Sequence, residues 1–382
     1  MVMSEPSPPR LAAGERPRIW LLLSDKLGDN AQVLALADAL GLDYEIRRLV
    51  MKPRYVLGKP LFRTSIAHLD RARSDPLEPP WPDLILTIGR RCTMAALWVR
   101  RRARGRCRIV LVGRPRQRLG AYDLLIVPPQ YALPESDRVI PLDLPLLEID
   151  RARLEAAREA WRDRLGGLAR PLTAVLVGGA TRPYRFDAEA AEAMVAALER
   201  YRMREGGTLY LSTSRRTGEA ACAVLERAAA GRFRFYRFDP EDREGNPYLG
   251  LLAWADRFVV TGDSISMIVE VARLGRPLAI YPLPLRRDPR ERLVRAAASM
   301  LAPGGRLGAL GRVLRRAGLL GVPRDLDAFH RRLYDLGLAV PFGAPFRPTR
   351  SEALGARDDL AAIAARIRAL LEPLHEPDVR AA

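Results

Sequence analysis

Short apolar runs alternate with stretches of helical periodicity along most of the chain. The first run, at residues 18–24, is followed by a polar turn at 25–30 and then by residues 31–40, whose apolar positions recur at helical spacing. Gly41 suits the end of that helix, because glycine readily adopts the left-handed conformation. Further strands are predicted at 44–49, 83–88, 108–112, 122–127, 172–177, 208–212, 233–238, 257–260 and 278–281, and further helices at 93–102, 188–200, 219–229, 249–255 and 265–274.

This order of strand, turn and helix is typical of parallel sheets with crossover helices, and it occurs twice. We therefore expect two Rossmann-like α/β domains. The expected organisation is a disordered leader at 1–17, an N-terminal domain at 18–150, a connecting helix at 151–168, a C-terminal domain at 169–285 and a helical tail at 286–382. The last predicted helix, 358–371, can pack back on the first domain.

The charge balance has a compositional explanation. The 382 residues include 63 Lys and Arg against 45 Asp and Glu, a formal net charge of +18, and only three of the basic residues are lysines. A GC-rich coding sequence produces such a composition whatever the function. Nucleic-acid-binding proteins usually gather basic residues on one face with aromatic side chains for stacking, whereas here they recur along the whole chain. We expect no nucleic-acid partner, and an anionic metabolite or an anionic membrane surface fits better.

Other compositional features indicate a folded cytoplasmic protein that can lie peripherally at the inner membrane. A hydrophobic content of 48% excludes a wholly disordered chain. No apolar run approaches the ~18 residues needed to span a bilayer, and the N-terminus lacks the apolar segment of a signal peptide. Cys92, Cys107 and Cys222 are scattered, with no metal-ligand spacing, which fits a reducing compartment.

Several common catalytic motifs are missing from the sequence. It contains no P-loop, no Gly-x-Gly-x-x-Gly fingerprint and no nucleophile elbow. His68, His330 and His375 are isolated in the sequence and are expected to lie far from the candidate turns. We therefore expect neither a histidine-centred triad nor a bound metal.

Two turns of the second predicted domain follow strands, where ligands of open α/β sheets collect. Gly178 and Gly179 either let the backbone approach a ligand or form only a structural turn. The next turn carries hydroxyls and paired guanidiniums: Thr213, Ser214, Arg215 and Arg216. Because arginine binds phosphate oxygens in a bidentate fork, this turn suits a phosphate. The alternative is a solvated basic loop.

The strongest candidate is the turn after the predicted strand at 257–260. Its candidate residues are Gly262, Asp263, Ser264, Ser266, Met267 and Glu270. Ser264 suits an N-cap, and Ser266 lies in the first helical turn, where free N–H groups can hold a diphosphate. Glu270, one turn further along the same face, can accept hydrogen bonds from sugar or ribose hydroxyls. Alternatively, Asp263 and Ser264 only cap the helix, and Glu270 pairs with an arginine three or six residues further on.

Asn246 and Tyr248 precede an apolar helix in the same predicted domain. The aromatic ring can stack on a nucleotide base, or the pair can simply begin the helix. The sequence leaves both readings open.

A second candidate site belongs to the first predicted domain. The residues concerned are Asp25, Lys26, Gly28 and Asp29 at one strand end, and Gly89, Arg90 and Arg91 at another. Lys26 can contact a phosphate, while Asp25 or Asp29 can act as a general base on a hydroxyl. The two arginines can add positive charge to the same crevice.

Seven segments form a recognisable order along the chain. They are 24–32 (SDKLGDNAQ), 89–91 (GRR), 178–179 (GG), 214–217 (SRRT), 246–248 (NPY), 260–267 (VTGDSISM) and 329–334 (FHRRLY). The sequence resembles the mitochondrial fission ELM1-like family on these segments. It departs from the family's opening Asp-Gly-Lys-x-Gly, because Lys26 directly follows Asp25. It also has Gln130 where the family tends to carry histidine, so no histidine role is expected at that turn.

The resemblance implies a GT-B-like fold, with two facing Rossmann-like domains, parallel sheets and a helical C-terminal tail. It also implies that the second domain binds a nucleotide-sugar and that the first binds an acceptor. By resemblance, the residues that bind the nucleotide-sugar are Arg215, Ser264, Ser266, Met267 and Glu270, and those that bind the acceptor are Asp25, Gly28 and Asp29.

The expected function is glycosyl transfer from a nucleotide-sugar to a lipid-linked or other cell-envelope acceptor at the cytoplasmic membrane face. No cofactor or metal is required, because a helix dipole and arginines can balance the leaving diphosphate. Asp29 or Asp25 would deprotonate the acceptor, and Arg215 with the turn at 264–266 would stabilise the leaving group. The alternatives are a nucleotide-sugar 2-epimerase and a non-catalytic scaffold, the role of the family's plant namesake, that docks on membranes or partners.

Overall fold

A computed structural model gives the structure of the chain. It describes residues 16–372 apart from 58–61, 116–118, 132, 134–135, 148, 243, 287, 290–295, 298–299, 302–304, 317–323 and 349–355. Two compact units divide the chain: the first comprises the described residues of Met1–Leu146, Met300–Arg324 and Gly355–Ala382, and the second those of Leu147–Ser299 and Asp325–Leu354. Most of the expected leader, residues 1–15, lies outside the described residues.

The first unit is built on six strands and the helices between them. The strands are β1 (Ile19–Leu23), β2 (Glu45–Arg48), β3 (Leu84–Ile88), β4 (Arg108–Val112), β5 (Leu124–Val127) and β6 (Val139–Pro141), and the helices are α1 (Leu27–Leu40), α2 (Arg54–Leu57) and α3 (Arg90–Arg102). All neighbouring strands are parallel, in the order β2-β1-β3-β4-β5-β6. Every residue of β1 and β3 is buried, as expected for parallel strands covered on both faces.

Alternate residues of these strands divide between two hydrophobic cores. Leu21 and Leu86 pack in one core with residues of α1, whereas Trp20 and Ile85 pack in the other with residues of α3. Because side chains alternate across a strand, each apolar run supplies both cores at once.

The second unit repeats this construction. Its strands are β7 (Leu172–Leu176), β8 (Thr208–Ser212), β9 (Arg234–Tyr236), β10 (Arg257–Thr261), β11 (Leu278–Tyr281) and β12 (Val340–Pro341), and its helices up to residue 273 are α4 (Arg151–Ala160), α5 (Arg162–Leu165), α6 (Ala188–Glu205), α7 (Glu219–Ala229), α8 (Tyr248–Trp254) and α9 (Ile265–Arg273). The strands are again parallel, in the order β12-β11-β10-β7-β8-β9.

The C-terminal segment contributes helices to both units. Helix α10 (Gly308–Arg316) belongs to the first unit, α11 (Leu326–Asp335) to the second and α12 (Ala356–Leu371) again to the first. The buried side chains of α12 join the core that contains those of α1. The Nη1 atom of Arg368 donates a hydrogen bond to the carbonyl oxygen of Leu40 at 2.9 Å, which fixes α12 at the end of α1.

The predicted fold class is confirmed, since each unit is a Rossmann-like α/β layer structure with a parallel sheet. Two helices begin three or more residues earlier than predicted, α1 at Leu27 rather than residue 31 and α3 at Arg90 rather than residue 93. The predicted polar turn at 25–30 is therefore largely helical. Its Asn30 accepts from the backbone N–H of Ser24 at 3.2 Å and donates to the carbonyl of Ser24 at 2.7 Å, which secures the tight entry into α1.

Three other differences have local causes. The predicted helix at 151–168 is interrupted at Trp161, a buried residue with φ −103° between α4 and α5. The short strands β6 and β12 were not predicted. Each ends in a proline at the edge of its sheet, where no further backbone N–H is needed.

Candidate functional site

The second sheet reverses its strand order between β7 and β10. The chain passes from β7 outward to β8 and β9, and then returns to the other side of β7 for β10 and β11. Leu176 at the end of β7 lies opposite both Ser212 of β8 and Val260 of β10, so the three strands end level. The turns that follow them therefore meet at a topological switch point, where open α/β sheets bind ligands.

Gly178 and Gly179 allow these turns to touch one another. A Cβ atom on Gly178 would overlap the carboxylate of Asp263, and one on Gly179 would overlap the backbone carbonyl of Arg216. The two glycines are thus required by close approach within the chain itself. The sequence left open whether these glycines approach a ligand or form a structural turn, and the contacts are those of a structural turn.

The side chain of Asp263 joins the three turns. It is fully buried, and its carboxylate accepts from the N–H of Gly179 at 3.0 Å, from the hydroxyl of Thr181 at 3.3 Å and from the hydroxyl of Thr261 at 2.8 Å. The Nη2 atom of Arg216 lies 3.4 Å from the same carboxylate. A buried carboxylate with four such partners is a structural anchor of the turns, and because none of these partners is a backbone N–H of α9, this role replaces the capping role expected for it.

Arg215 and Arg216 are adjacent in sequence but have different surroundings. The guanidinium of Arg216 donates to the hydroxyl of Thr181 at 2.8 Å and to that of Ser264 at 3.0 Å, in addition to its ion pair with Asp263. Arg215 is exposed and, within the described residues, makes no hydrogen bond or ion pair. Of the two guanidiniums expected to bind phosphate, that of Arg216 is therefore already paired within the chain, and Arg215 is the one left for a ligand.

The hydroxyl groups in the turn after β8 form hydrogen bonds with backbone groups. Ser214 and Thr217 both donate to the carbonyl of Gly178, at 3.2 Å and 2.5 Å. Thr213 accepts from the N–H of Phe238 at 2.8 Å. These bonds fix the position of the turn after β8, so its hydroxyls hold the fold together at this point.

The N-terminus of α9 is open. Ser264 occupies the expected N-cap position, but its side chain makes no capping bond and instead accepts from Arg216. The first turn carries no acidic residue, Ser266 is exposed and Met267 is partly buried. The free N–H groups of the first turn and the positive end of the helix dipole therefore remain available to an anion.

Glu270 and Tyr248 contact each other directly, which the sequence did not predict. The hydroxyl of Tyr248 donates to the Glu270 carboxylate. Burial raises the pKa of Glu270, partly offset by this hydrogen bond, and burial together with the nearby carboxylate raises the pKa of Tyr248 well above its usual value. The side-chain oxygen of Asn246 accepts a hydrogen bond from the N–H of Tyr248 at 3.1 Å. Asn246 therefore helps to begin α8, which is the structural role that the sequence left open for this pair.

His330 lies at the third turn, contrary to the expectation that the histidines are remote. Its Nε2 atom is 2.8 Å from the carbonyl oxygen of Gly262, and it is buried. A Cβ on Gly262 would lie 2.8 Å from the His330 ring, so glycine leaves room for the imidazole. Burial lowers the pKa of His330, which favours a neutral ring that donates to Gly262. Helix α11 is also joined to the loop after β7 by the Tyr184 hydroxyl, which donates to Asp327 at 3.0 Å.

The first sheet has its own switch point, between β1 and β3. Lys26 lies 3.8 Å from the carboxylate of Asp29, and a Cβ on Gly89 would lie 3.9 Å from the same group. Gly89 has φ +78°, which suits glycine. Burial raises the pKa of Asp29, and Lys26 opposes this shift. Of the predicted residues of this site, Lys26 and Gly89 therefore lie close to Asp29, while Asp25 is exposed and Gly28 lies in the first turn of α1.

Helix α3 begins directly after Gly89. Arg90 and Arg91 are its first residues, and the guanidinium of Arg91 donates to the carbonyl of Tyr55. His68, also expected to be remote, places its Nε2 atom 3.0 Å from the carbonyl oxygen of Arg91. Burial lowers the pKa of His68. His375 lies outside the described residues.

In the part of the chain that the structure describes, no three His, Cys, Asp or Glu side chains come together as the ligands of a metal ion would. Among the helices described, none has the length and apolar character needed to cross a bilayer.

Fold and site together define an α/β protein with two parallel-sheet units, each with polar residues gathered at its switch point. The chain belongs to the Mitochondrial fission ELM1 family, whose sequence profile matches residues 28–305. The family assignment made from the motifs is thereby confirmed.

Two known proteins are similar to this chain in sequence. The mitochondrial fission protein ELM1 of Arabidopsis thaliana is 28% identical over 225 residues, an alignment that covers 53% of this chain and 52% of that protein. The chain thus spans about half the length of the plant relative. An uncharacterised protein of Rickettsia prowazekii, RP120, is 24% identical over 295 residues, covering 69% of this chain and 82% of that protein.

Solved structures with a similar architecture are more distant. UDP-GlcNAc 2-epimerase from Neisseria meningitidis, bound to UDP-GlcNAc, is 11% identical with a TM-score of 0.46 and covers 84% of this chain and 99% of its own. MurG from Acinetobacter baumannii is 13% identical with a TM-score of 0.44 and covers 94% of this chain and 96% of its own.

Proposed function

We propose that the chain is a GT-B-like, metal-independent glycosyltransferase that binds a nucleotide-sugar in its second unit and acts on a cell-envelope acceptor at the cytoplasmic membrane face. The observation that carries the proposal is the uncapped N-terminus of α9 at the switch point of the second sheet. A helix N-terminus whose N-cap side chain is engaged elsewhere is suited to a phosphate group.

In this proposal the diphosphate lies against the first turn of α9. The N–H groups of that turn and the exposed hydroxyl of Ser266 donate to it, and Arg215 supplies a mobile positive charge. Arg216 and Asp263 keep the turns rigid, because a preorganised donor set stabilises a leaving diphosphate without further rearrangement. The role proposed for Arg216 is therefore positioning, and the ligand contact is assigned to Arg215.

Glu270 is proposed to accept hydrogen bonds from ribose or sugar hydroxyls. Its carboxylate accepts a hydrogen bond from the Tyr248 hydroxyl. A ligand hydroxyl would share or replace that bond, so binding exchanges one hydroxyl donor for another at a carboxylate that burial has already deprived of water.

In the first unit, Asp29 is proposed as the general base on the acceptor hydroxyl. Its partly buried carboxylate has a raised pKa, the direction that improves a carboxylate as a base near neutral pH. Asp25 is exposed and is the weaker candidate of the two.

The test is calorimetric titration of the full chain with a panel of nucleotide-sugars. We expect one member to bind, Arg215→Ala and Glu270→Ala to weaken that binding at least about tenfold, and the exposed control Arg202→Ala on α6 to leave it unchanged. Circular dichroism checks that each variant is folded. Unchanged affinity in both site variants refutes the proposal. Incubation of the bound nucleotide-sugar without acceptor then identifies an epimerase, which alone would turn over.

A second candidate is a non-catalytic docking scaffold. It is favoured by the internal pairing of Arg216 with Asp263 and of Glu270 with Tyr248, which leaves fewer groups free for a ligand. The plant relative, whose name associates it with mitochondrial fission, is consistent with such a role. Thermal unfolding that no nucleotide-sugar shifts would favour the scaffold over the transferase.

A further inference from the structure

Exposed apolar side chains are concentrated in one short segment of the chain. Of the six large apolar side chains that are exposed among the described residues, four are Met300, Leu307, Leu310 and Val313. Leu310 and Val313 keep 49% and 62% of their surface in contact with solvent. These four side chains are called the apolar patch below.

Helix α10 holds the patch in an unusual orientation. Gly308 and Gly311 are buried, while Leu310 and Val313 are exposed. Among the side chains of α10 that the structure describes, the larger apolar ones therefore face outward while the glycines are buried, the reverse of an ordinary surface helix.

Backbone hydrogen bonds attach the rest of the patch to α10. The N–H of Leu307 donates to the carbonyl of Met300 at 2.8 Å, and the N–H of Gly311 donates to the carbonyl of Leu307 at 2.9 Å. Met300 and Leu307 are thus fixed at the beginning of the helix, and the four side chains belong to one local structure.

The charged residues of this segment are all of one sign. Residues 305–316 contain four arginines and no Asp or Glu. Arg306 is exposed beside the patch and offers a positive charge to an anionic partner. An outward apolar face accompanied only by arginine is the composition of helices that lie in the surface of an anionic bilayer.

We propose that the apolar patch docks the chain on an anionic phospholipid bilayer, with Leu310 and Val313 entering the headgroup boundary and arginines such as Arg306 contacting lipid phosphates. The charge complementarity favours a lipid surface over an apolar protein groove. The inference rests on the membrane-bound acceptor of the proposed function, and it names the surface that would bring the chain to that acceptor.

The first experiment is co-sedimentation of the full chain with phosphatidylcholine vesicles, with and without phosphatidylglycerol. We expect binding only to the anionic vesicles, and weaker binding at high salt. The double variant Leu310→Gln/Val313→Gln should bind about tenfold or more weakly, because two apolar side chains no longer enter the bilayer. The matched control Met203→Gln/Leu285→Gln changes two other exposed apolar side chains, which belong to the second unit, and should bind like the wild type.

The charge contribution is tested separately. Arg306→Gln should weaken binding about fivefold, the factor that corresponds to ~1 kcal/mol for one arginine near an anionic surface. Arg202→Gln, an exposed arginine on α6, is the control and should have no effect.

A site-specific measurement locates the contact. Cys92, Cys107 and Cys222 are buried, so an environment-sensitive fluorophore can be attached selectively to Val313→Cys, or to Met203→Cys as control. Anionic vesicles should raise the emission of the label at position 313 and leave that at position 203 unchanged.

Three outcomes would overturn the inference. They are equal binding to neutral vesicles, full binding by the patch variant, and self-association of lipid-free chain that the patch variant abolishes, which would assign the patch to a second copy. Nucleotide-sugar binding by Leu310→Gln/Val313→Gln should equal that of the wild type. A failure of lipid docking is thereby distinguished from a failure of the proposed function.

Discussion

Replacing Arg216 by alanine tests whether this residue positions the site or only lies beside it. The substitution removes hydrogen bonds to Thr181 and Ser264 and the cation facing Asp263. It leaves a fully buried carboxylate that still accepts from Gly179, Thr181 and Thr261.

The expected loss of stability depends on how exposed the side chains of Arg216 and Asp263 are. Breaking a fully buried ion pair costs roughly 3–5 kcal/mol, because the remaining charge is uncompensated. The Arg216 side chain is 42% exposed, and Asp263 keeps other donors, so we expect about 2–3 kcal/mol. Asp263→Asn should cost a similar amount, because its amide group must face one of the donors that now serve the carboxylate. The double variant should be about 1–2 kcal/mol less destabilised than the sum.

Hydrogen exchange of peptides that cover β7, β8 and β10 is the appropriate measurement. The chain has two units, so a single global unfolding midpoint does not isolate the second one, whereas local opening free energies do. Arg215→Ala is the matched control, adjacent in sequence, exposed and expected to change stability by less than about 0.5 kcal/mol. If Arg216→Ala has no larger effect than Arg215→Ala, the positioning role is wrong.

Three further predictions concern residues around the same site. Glu270→Gln should be more stable than the wild type at pH 8, because burial raises the folded-state pKa of Glu270 above its unfolded value of 4.5. Wild-type stability therefore falls as the pH rises from the unfolded-state pKa through the folded-state pKa. Equal pH dependence of the free energy of urea unfolding in the two proteins would contradict this. Gly262→Ala should lower the opening free energy of β10, measured by hydrogen exchange, by about 1–3 kcal/mol, and His330→Ala in the same chain should relieve part of that loss, since the new Cβ would lie 2.8 Å from the imidazole. Gly179→Ala should cost at least about 3 kcal/mol, because its Cβ overlaps a backbone carbonyl that cannot rotate away, and a variant as stable as the wild type would exclude that overlap.

The fold was largely predictable because its strands are short, apolar and buried on both faces. Strands such as β8 and β11 have the predicted bounds, and β10 differs by a single residue. Periodicity does not encode which strands pair, so the two switch points became visible only with the strand order. The start of α1 was also hidden, because it depends on the contact of Asn30 with Ser24 rather than on apolar spacing.

The site was predictable as a set of turns but not as a set of contacts. The sequence cannot distinguish Arg215 from Arg216, because only the folded chain brings a buried carboxylate to one of them. No local pattern links Tyr248 to Glu270, although the two side chains share one hydrogen bond. The expectation that His330 is remote from the site is wrong for the same reason. His330 lies 68 positions from Gly262 in the sequence, and a long-range contact leaves no local pattern.

The charges at the switch point of the second sheet nearly cancel, and this bears on the kind of anion that the proposed nucleotide-sugar site would select. Arg216 is neutralised by Asp263, so the uncommitted charges are Arg215 and, one turn up α9, the carboxylate of Glu270. A bare phosphate would gain the helix N–H groups and Arg215 but would also approach the negative Glu270. A nucleotide-sugar brings hydroxyl donors that can satisfy that carboxylate while its diphosphate contacts the helix terminus. The arrangement therefore favours a ligand that combines a diphosphate with hydroxyl groups over a simple anion, and the net charge of +18 contributes little to that choice.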